Sequence, residues 1–131
     1  MFQLDALNIE YVREYQFAKQ TMKRKWACDF FIPYAGLVVE IEGGVWSGGR
    51  HVHPSGFMSD MEKYNALTQH MIYLLRFTPR QVVDGVAIQD ILNFIASKDK
   101  EDERNLFSGD HTAFHPVLRH ILSDTQQAKK D

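Results

Sequence analysis

The chain reads as an α/β (α+β) domain in which four β-strands and their flanking helices follow the order α-β-β-β-α-β-α. Three observations lead there. Aromatic and β-branched residues alternate over 13–19, 25–32 and 37–42; apolar residues recur at helical spacing after residue 57 and again after residue 88; and a further β-prone run, 72–78, lies between those two helices. With 131 residues, 44% of them hydrophobic, the chain has enough apolar surface for one ordinary core.

Residues 1–9 suggest a short helix, too brief to stand unless it packs on something. The runs 13–19 and 25–32, separated by the polar Gln20-Thr21-Met22-Lys23-Arg24, suggest a hairpin. Pro33-Tyr34-Ala35-Gly36 then turns the chain into a third strand, 37–42, ended by Gly43-Gly44. Residues 47–56 hold three more glycines and a proline and read as an irregular loop. Phe57, Met61, Tyr64, Leu67 and Met71 give the next helix one apolar stripe, expected to face the sheet. A strand over 72–78 is closed by Pro79, and Ile88, Ile91, Leu92 and Ile95 mark a last core helix. The core is thus expected over 1–97. Beyond it, 98–131 reads as a charged linker or solvated helix end, Lys98-Asp99-Lys100-Glu101-Asp102-Glu103-Arg104, followed by a helical extension opened by Pro116 that packs on the core or on a partner.

A net charge of −2 and a pI of about 6.3 do not announce a nucleic-acid binder. A basic face matters more than the sum, and Lys19, Lys23, Arg24, Lys25, Arg50, Arg76 and Arg80 could form one. The single cysteine, Cys28, excludes an intrachain disulfide and suits a reducing compartment as a buried thiol. No 18-residue apolar run occurs and the N-terminus lacks a signal-peptide pattern, so a soluble, cytoplasmic protein without a membrane partner is expected.

The odd feature is Val38-Val39-Glu40-Ile41-Glu42, in which two acids interrupt an apolar strand and, by the period of two, share a face with Val38. On the preceding strand Asp29 sits among Trp26, Cys28, Phe30 and Phe31. Pairing of the two strands would bring three carboxylates together, and a divalent cation relieves the repulsion such crowding creates. Oxygen ligands favour Mg²⁺ or Mn²⁺ over zinc. His70, His111, His115 and His120 lack the second cysteine that would support a zinc site. The ordinary alternative is an edge strand whose acids face water.

Residues 24–30, the Glu40-Ile41-Glu42-Gly43-Gly44-Val45-Trp46 run, Gly48-Gly49-Arg50-His51, Glu62-Lys63-Tyr64-Asn65 and Leu75-Arg76-Phe77-Thr78-Pro79 together resemble phage and bacterial nucleases related to very-short-patch-repair endonucleases and DUF559 proteins, within the PD-(D/E)XK superfamily. The resemblance spans about residues 13–95. It implies a restriction-endonuclease-like core with a mixed four-stranded sheet, and a Mg²⁺-dependent DNA endonuclease or nickase leaving a 3′-hydroxyl and a 5′-phosphate. Asp29 would be the motif aspartate, Glu40 the motif acid and the Ile41 carbonyl a third metal contact. Glu42 stands where most of the superfamily has lysine; it joins the expected metal set, while Lys63 and His51 are the candidates to replace the missing cation.

The expected catalytic set is therefore Asp29, Glu40, Glu42, His51 and Lys63, and the expected DNA contacts are Lys23, Arg24, Lys25, Trp46 and Arg50. Asp60 could support the site or partner Arg50, and His53 is a weaker candidate than His51. Only about nine residues precede the first strand, too few for the acid-bearing first helix of many superfamily members; Glu10, Glu14 or a homodimer could complete the site. Structure-selective cutting suits a chain of this size. A homing or restriction-like enzyme and a nucleic-acid-binding module without catalysis are the competing expectations.

Overall fold

The computed structural model describes residues 2–19, 22–43 and 54–108. Four strands, β1 (Val12–Tyr15), β2 (Cys28–Ile32), β3 (Leu37–Ile41) and β4 (Tyr73–Phe77), form one sheet in sequence order. The pairs β1/β2 and β2/β3 are antiparallel and β3/β4 is parallel. Among the described residues four helices accompany them: α1 (Phe2–Ala6), α2 (Pro54–Gln69), α3 (Pro79–Val83) and α4 (Val86–Ser108). The mixed sheet follows from the connections. The tight turn between β2 and β3 permits only an antiparallel neighbour, whereas β4 can lie parallel to β3 because α2 carries the chain back across the sheet.

Local chemistry explains the β2–β3 corner. Pro33 opens a single 3₁₀ turn over Pro33–Ala35, and Gly36, at φ 58°, closes it in the left-handed region, where a side chain would be strained. The register that results pairs Phe30 with Val39 and Phe31 with Val38. Along β3 the side chains then alternate. Leu37 and Val39 enter a core with Leu4, Ile32, Phe77, Ala87 and Ile91, beneath α1 and α4. Val38 enters a second core with Phe17, Cys28, Phe31, Ala66, Leu67 and Ile72, beneath α2. Glu40 and Glu42 share the parity of Val38 and so belong to the α2 side.

Several boundaries differ from the sequence expectation. β1 is shorter than 13–19, and the chain between β1 and β2 is a long connection, not a tight hairpin. Thr78-Pro79 does more than close β4: Thr78 accepts from the Gln81 N–H while the Gln81 side chain accepts from the Thr78 N–H, a capping box that nucleates α3. The charged run 98–104 continues α4 as helix. Among the described residues no helix is long and apolar enough to cross a membrane.

The main correction concerns α2. Of the stripe expected against the sheet, Leu67 is buried and Tyr64 half-buried, but Phe57 and Met61 are 59% and 51% exposed, as is Met71, at 61%, just past the helix; Ala66 is buried and Lys63 half-buried instead. The inward face is thus turned toward Lys63 and Ala66 by part of one residue's step. Polar side chains that satisfy one another beneath α2 outrank an apolar stripe read from spacing alone.

Candidate active site

Asp29 lies at the start of β2, one residue beyond the last β2–β3 register pair, Phe30 with Val39. Its Oδ2 accepts the Ile41 N–H at 2.7 Å, so a side chain satisfies a strand donor and fixes the carboxylate against the end of β3. Glu40, the residue before, is 8% exposed and is the one buried charged residue among those described. Its Oε1 accepts from Lys63 Nζ, and the same ammonium donates to the Ala27 carbonyl at 2.8 Å. The rotation of α2 is thereby explained: Lys63 reaches across to β3 and to the chain entering β2.

Glu40 is held in balance. Burial pushes its carboxyl above the usual carboxylate range, Lys63 opposes this by hydrogen bond and by charge, and Asp29 and Glu42 push it further up. Cys28, fully buried beside it, has its thiol pushed up to about 12, chiefly by burial.

Glu42 lies near enough to act on Glu40 by charge, and two further side chains hold it. Its Oε1 accepts from Tyr64 Oη at 3.0 Å and from Arg76 Nε at 2.9 Å. Arg76 also lies over the Tyr64 ring, 4.6 Å from its centre. Burial and the bond to Glu42 hold the Tyr64 phenol well above its ordinary pKa.

These side chains surround a cleft of about 500 Å³ whose lining includes Asp29, Glu40, Glu42, Asp60, Lys63 and Tyr64. Lys25 and Trp26 form part of its wall. Four carboxylates thus face two lysines around one concavity, an imbalance that favours cations. Among the described residues no group of three His, Cys, Asp or Glu could hold a metal ion. The donor chemistry nevertheless fits a hard cation of modest protein demand: Asp29, Glu40 and Ile41 offer oxygen donors where β2 and β3 adjoin, and Mg²⁺ commonly takes one or two carboxylates and keeps waters. Glu42 spends one carboxylate oxygen, Oε1, on both Tyr64 and Arg76.

Of the expected DNA contacts, Lys23 is exposed, and Lys25 is an exposed residue on the cleft wall. Arg24 pairs with Glu62 of α2 at 3.3 Å and lies over Trp26, 5.1 Å from the ring centre. Trp46, Arg50, His51 and His53, with the glycine loop, lie outside the described residues, as do His111, His115, His120 and the extension after Pro116. Glu10 and Glu14 are exposed on or beside β1, and neither lines this cleft.

Sequence reasoning misses the clamp on Glu42. Spacing places Tyr64 in an apolar stripe, and composition places Arg76 in a diffuse basic face. The signal is nevertheless present: in a parallel β3/β4 pair Arg76 aligns with Glu40 and shares its face. No family model, curated protein or solved structure matches the chain.

Proposed function

We propose that the chain is a metal-dependent DNA endonuclease or nickase with a restriction-endonuclease-like core of the PD-(D/E)XK type. The observation that carries this reading is the buried Glu40, ion-paired with Lys63 from α2 beside the anchored Asp29, all lining one cleft. A carboxylate is costly to bury, and a fold that holds one at a solvent-accessible concavity with a second acid and a lysine has the parts for phosphodiester hydrolysis.

Asp29 and Glu40, with the Ile41 carbonyl, would hold Mg²⁺ or Mn²⁺, which supplies charge neutralisation at the phosphoryl oxygens and acidifies a water. The protein's own contribution is orientation. Lys63 fixes the Glu40 carboxylate and carries three N–H donors, so it can also hold a phosphate oxygen or the attacking water while bonded to Glu40 and Ala27. In hydrolysis the water oxygen forms a bond to phosphorus, the bond from phosphorus to the 3′ oxygen breaks, and that oxygen takes a proton. The products are a 3′-hydroxyl and a 5′-phosphate. Lys63, not Glu42, then fills the place of the motif lysine.

That no three of the described His, Cys, Asp or Glu residues are placed to hold a metal ion gives the second reading, a nucleic-acid-binding module of the same fold without catalysis. Supercoiled plasmid and branched DNA incubated with Mg²⁺ or Mn²⁺ separate the two. Nicking or linearisation that Glu40→Gln abolishes while the variant still unfolds cooperatively supports the enzyme; intact DNA that is still shifted in a gel supports the module.

A further inference from the structure

Arg76 is pinned from two directions, by its Nε bond to Glu42 and by the Tyr64 ring beneath its guanidinium. The guanidinium side remains open to an incoming ligand: the Arg76 side chain is 46% exposed, against 14% for Glu42. The parallel register puts Arg76 beside Glu40 on the same face of the sheet, one strand away, a spacing of about 4.8 Å. The guanidinium has five donors in a planar fork, and Glu42 engages Nε. Such a fork, held over an aromatic ring and bonded to a cleft-lining acid, is preorganised for a phosphate, because little rotamer entropy remains to be lost.

We propose that Arg76 contacts a backbone phosphate flanking the one that reacts, and that Glu42 is a positioning residue that aims it. This rests on the nucleic-acid reading above and deepens it: the acid at the motif-lysine position serves substrate binding through Arg76, while the cation beside the metal ligands comes from Lys63. Tyr64 is the platform on which the guanidinium lies.

The test is fluorescence anisotropy with a fluorescein-labelled DNA junction and a labelled linear duplex, in Ca²⁺ to permit binding without cutting, over a series of salt concentrations. Arg76→Ala should weaken binding about tenfold and reduce the slope of log affinity against log salt by about one, as for the loss of one phosphate contact. Arg76→Lys keeps the charge and should restore the slope but only part of the affinity. Glu42→Gln should leave the slope unchanged and weaken binding several-fold, because the charge remains while its aim is lost. Lys98→Ala, which removes a cation at the opposite end of β4, is the control and should match wild type. Arg76→Gln repeats the slope measurement should Arg76→Ala fail to fold.

A wild-type slope in folded Arg76→Ala or Arg76→Gln overturns the proposal while leaving the nuclease reading intact. Binding with the reduced slope but no cleavage by wild type in Mg²⁺ upholds the contact and refutes catalysis. No binding of either DNA by wild type refutes both.

Discussion

Replacing Lys63 by methionine isolates the interaction on which the candidate site depends. The substitution preserves an unbranched stem but removes the ammonium that serves Glu40 and the Ala27 carbonyl. The Lys63 and Glu40 side chains are only 12% and 10% exposed, so the lost partner leaves a largely desolvated carboxylate. Breaking such a pair from one side costs about 3 to 5 kcal/mol, and the lower end applies to a pair bordering a cleft. In a domain of this size a loss of about 3 kcal/mol lowers the melting temperature by roughly 10 °C.

The pH dependence fixes the cause. Burial already holds the Glu40 carboxyl above its ordinary range, so the folded state keeps a proton that the unfolded chain releases. Glu40 therefore subtracts stability as pH rises from its unfolded pKa, about 4.3, through its folded one. Lys63 favours the carboxylate and narrows that window; Lys63→Met widens it upward. The difference between wild type and variant in urea denaturation should accordingly be small below the unfolded carboxyl pKa, grow as pH rises through the raised folded one, and level off above it. A pH-independent remainder of about 1 kcal/mol is expected from the Ala27 carbonyl. In a Glu40→Gln background most of the Lys63→Met cost should vanish, since no charge is left unpaired. Equal stability of wild type and Lys63→Met at pH 8, or the same cost with and without Glu40, would refute the argument.

Asp29→Ala leaves the Ile41 N–H without its acceptor and should cost about 1 to 3 kcal/mol in chemical denaturation, whereas Asp29→Asn retains an acceptor and should cost less; calorimetric titration should show Mn²⁺ binding by wild type and its loss in both variants. Cys28 is fully buried with its thiol pushed up to about 12, so native protein at pH 8 should resist iodoacetamide and label only after unfolding; rapid native labelling would contradict the packing beneath α2. Gly85, at φ 80° between α3 and α4, has no atom within 4 Å of the place a Cβ would take, so Gly85→Ala should cost only the left-handed backbone strain of about 1 kcal/mol, read as a shift in denaturation midpoint.

How much of this is legible depends on whether the signal is local. The strands at 28–32, 37–41 and 73–77 follow from β-branched and aromatic runs bounded by Pro33, Gly36, Gly43 and Pro79, which act on their immediate neighbours. The acids in β3 stand out because charge inside an apolar strand breaks alternation. By contrast, α3 is hidden by Pro79, which reads as a terminator although it sits at the first turn of a capped helix. The α2 stripe misleads for a different reason: Phe57 and Met61 satisfy the spacing of a buried face, but the partners of Lys63 and Tyr64 lie on other elements and are invisible to periodicity.

By itself the sequence determined the three strands β2 to β4 and the existence of the two long helices, the turn that sets β2 against β3, and the presence of Asp29, Glu40 and Glu42 at adjoining strand ends. Tertiary structure decided their separate fates: Asp29 to the Ile41 N–H, Glu40 to Lys63, Glu42 to Tyr64 and Arg76. The physical reason is that propensity and pattern act over a few residues. A carboxylate's partner is chosen by the parallel register of β4 and the rotation of α2, settled only when two cores close on opposite faces of one sheet.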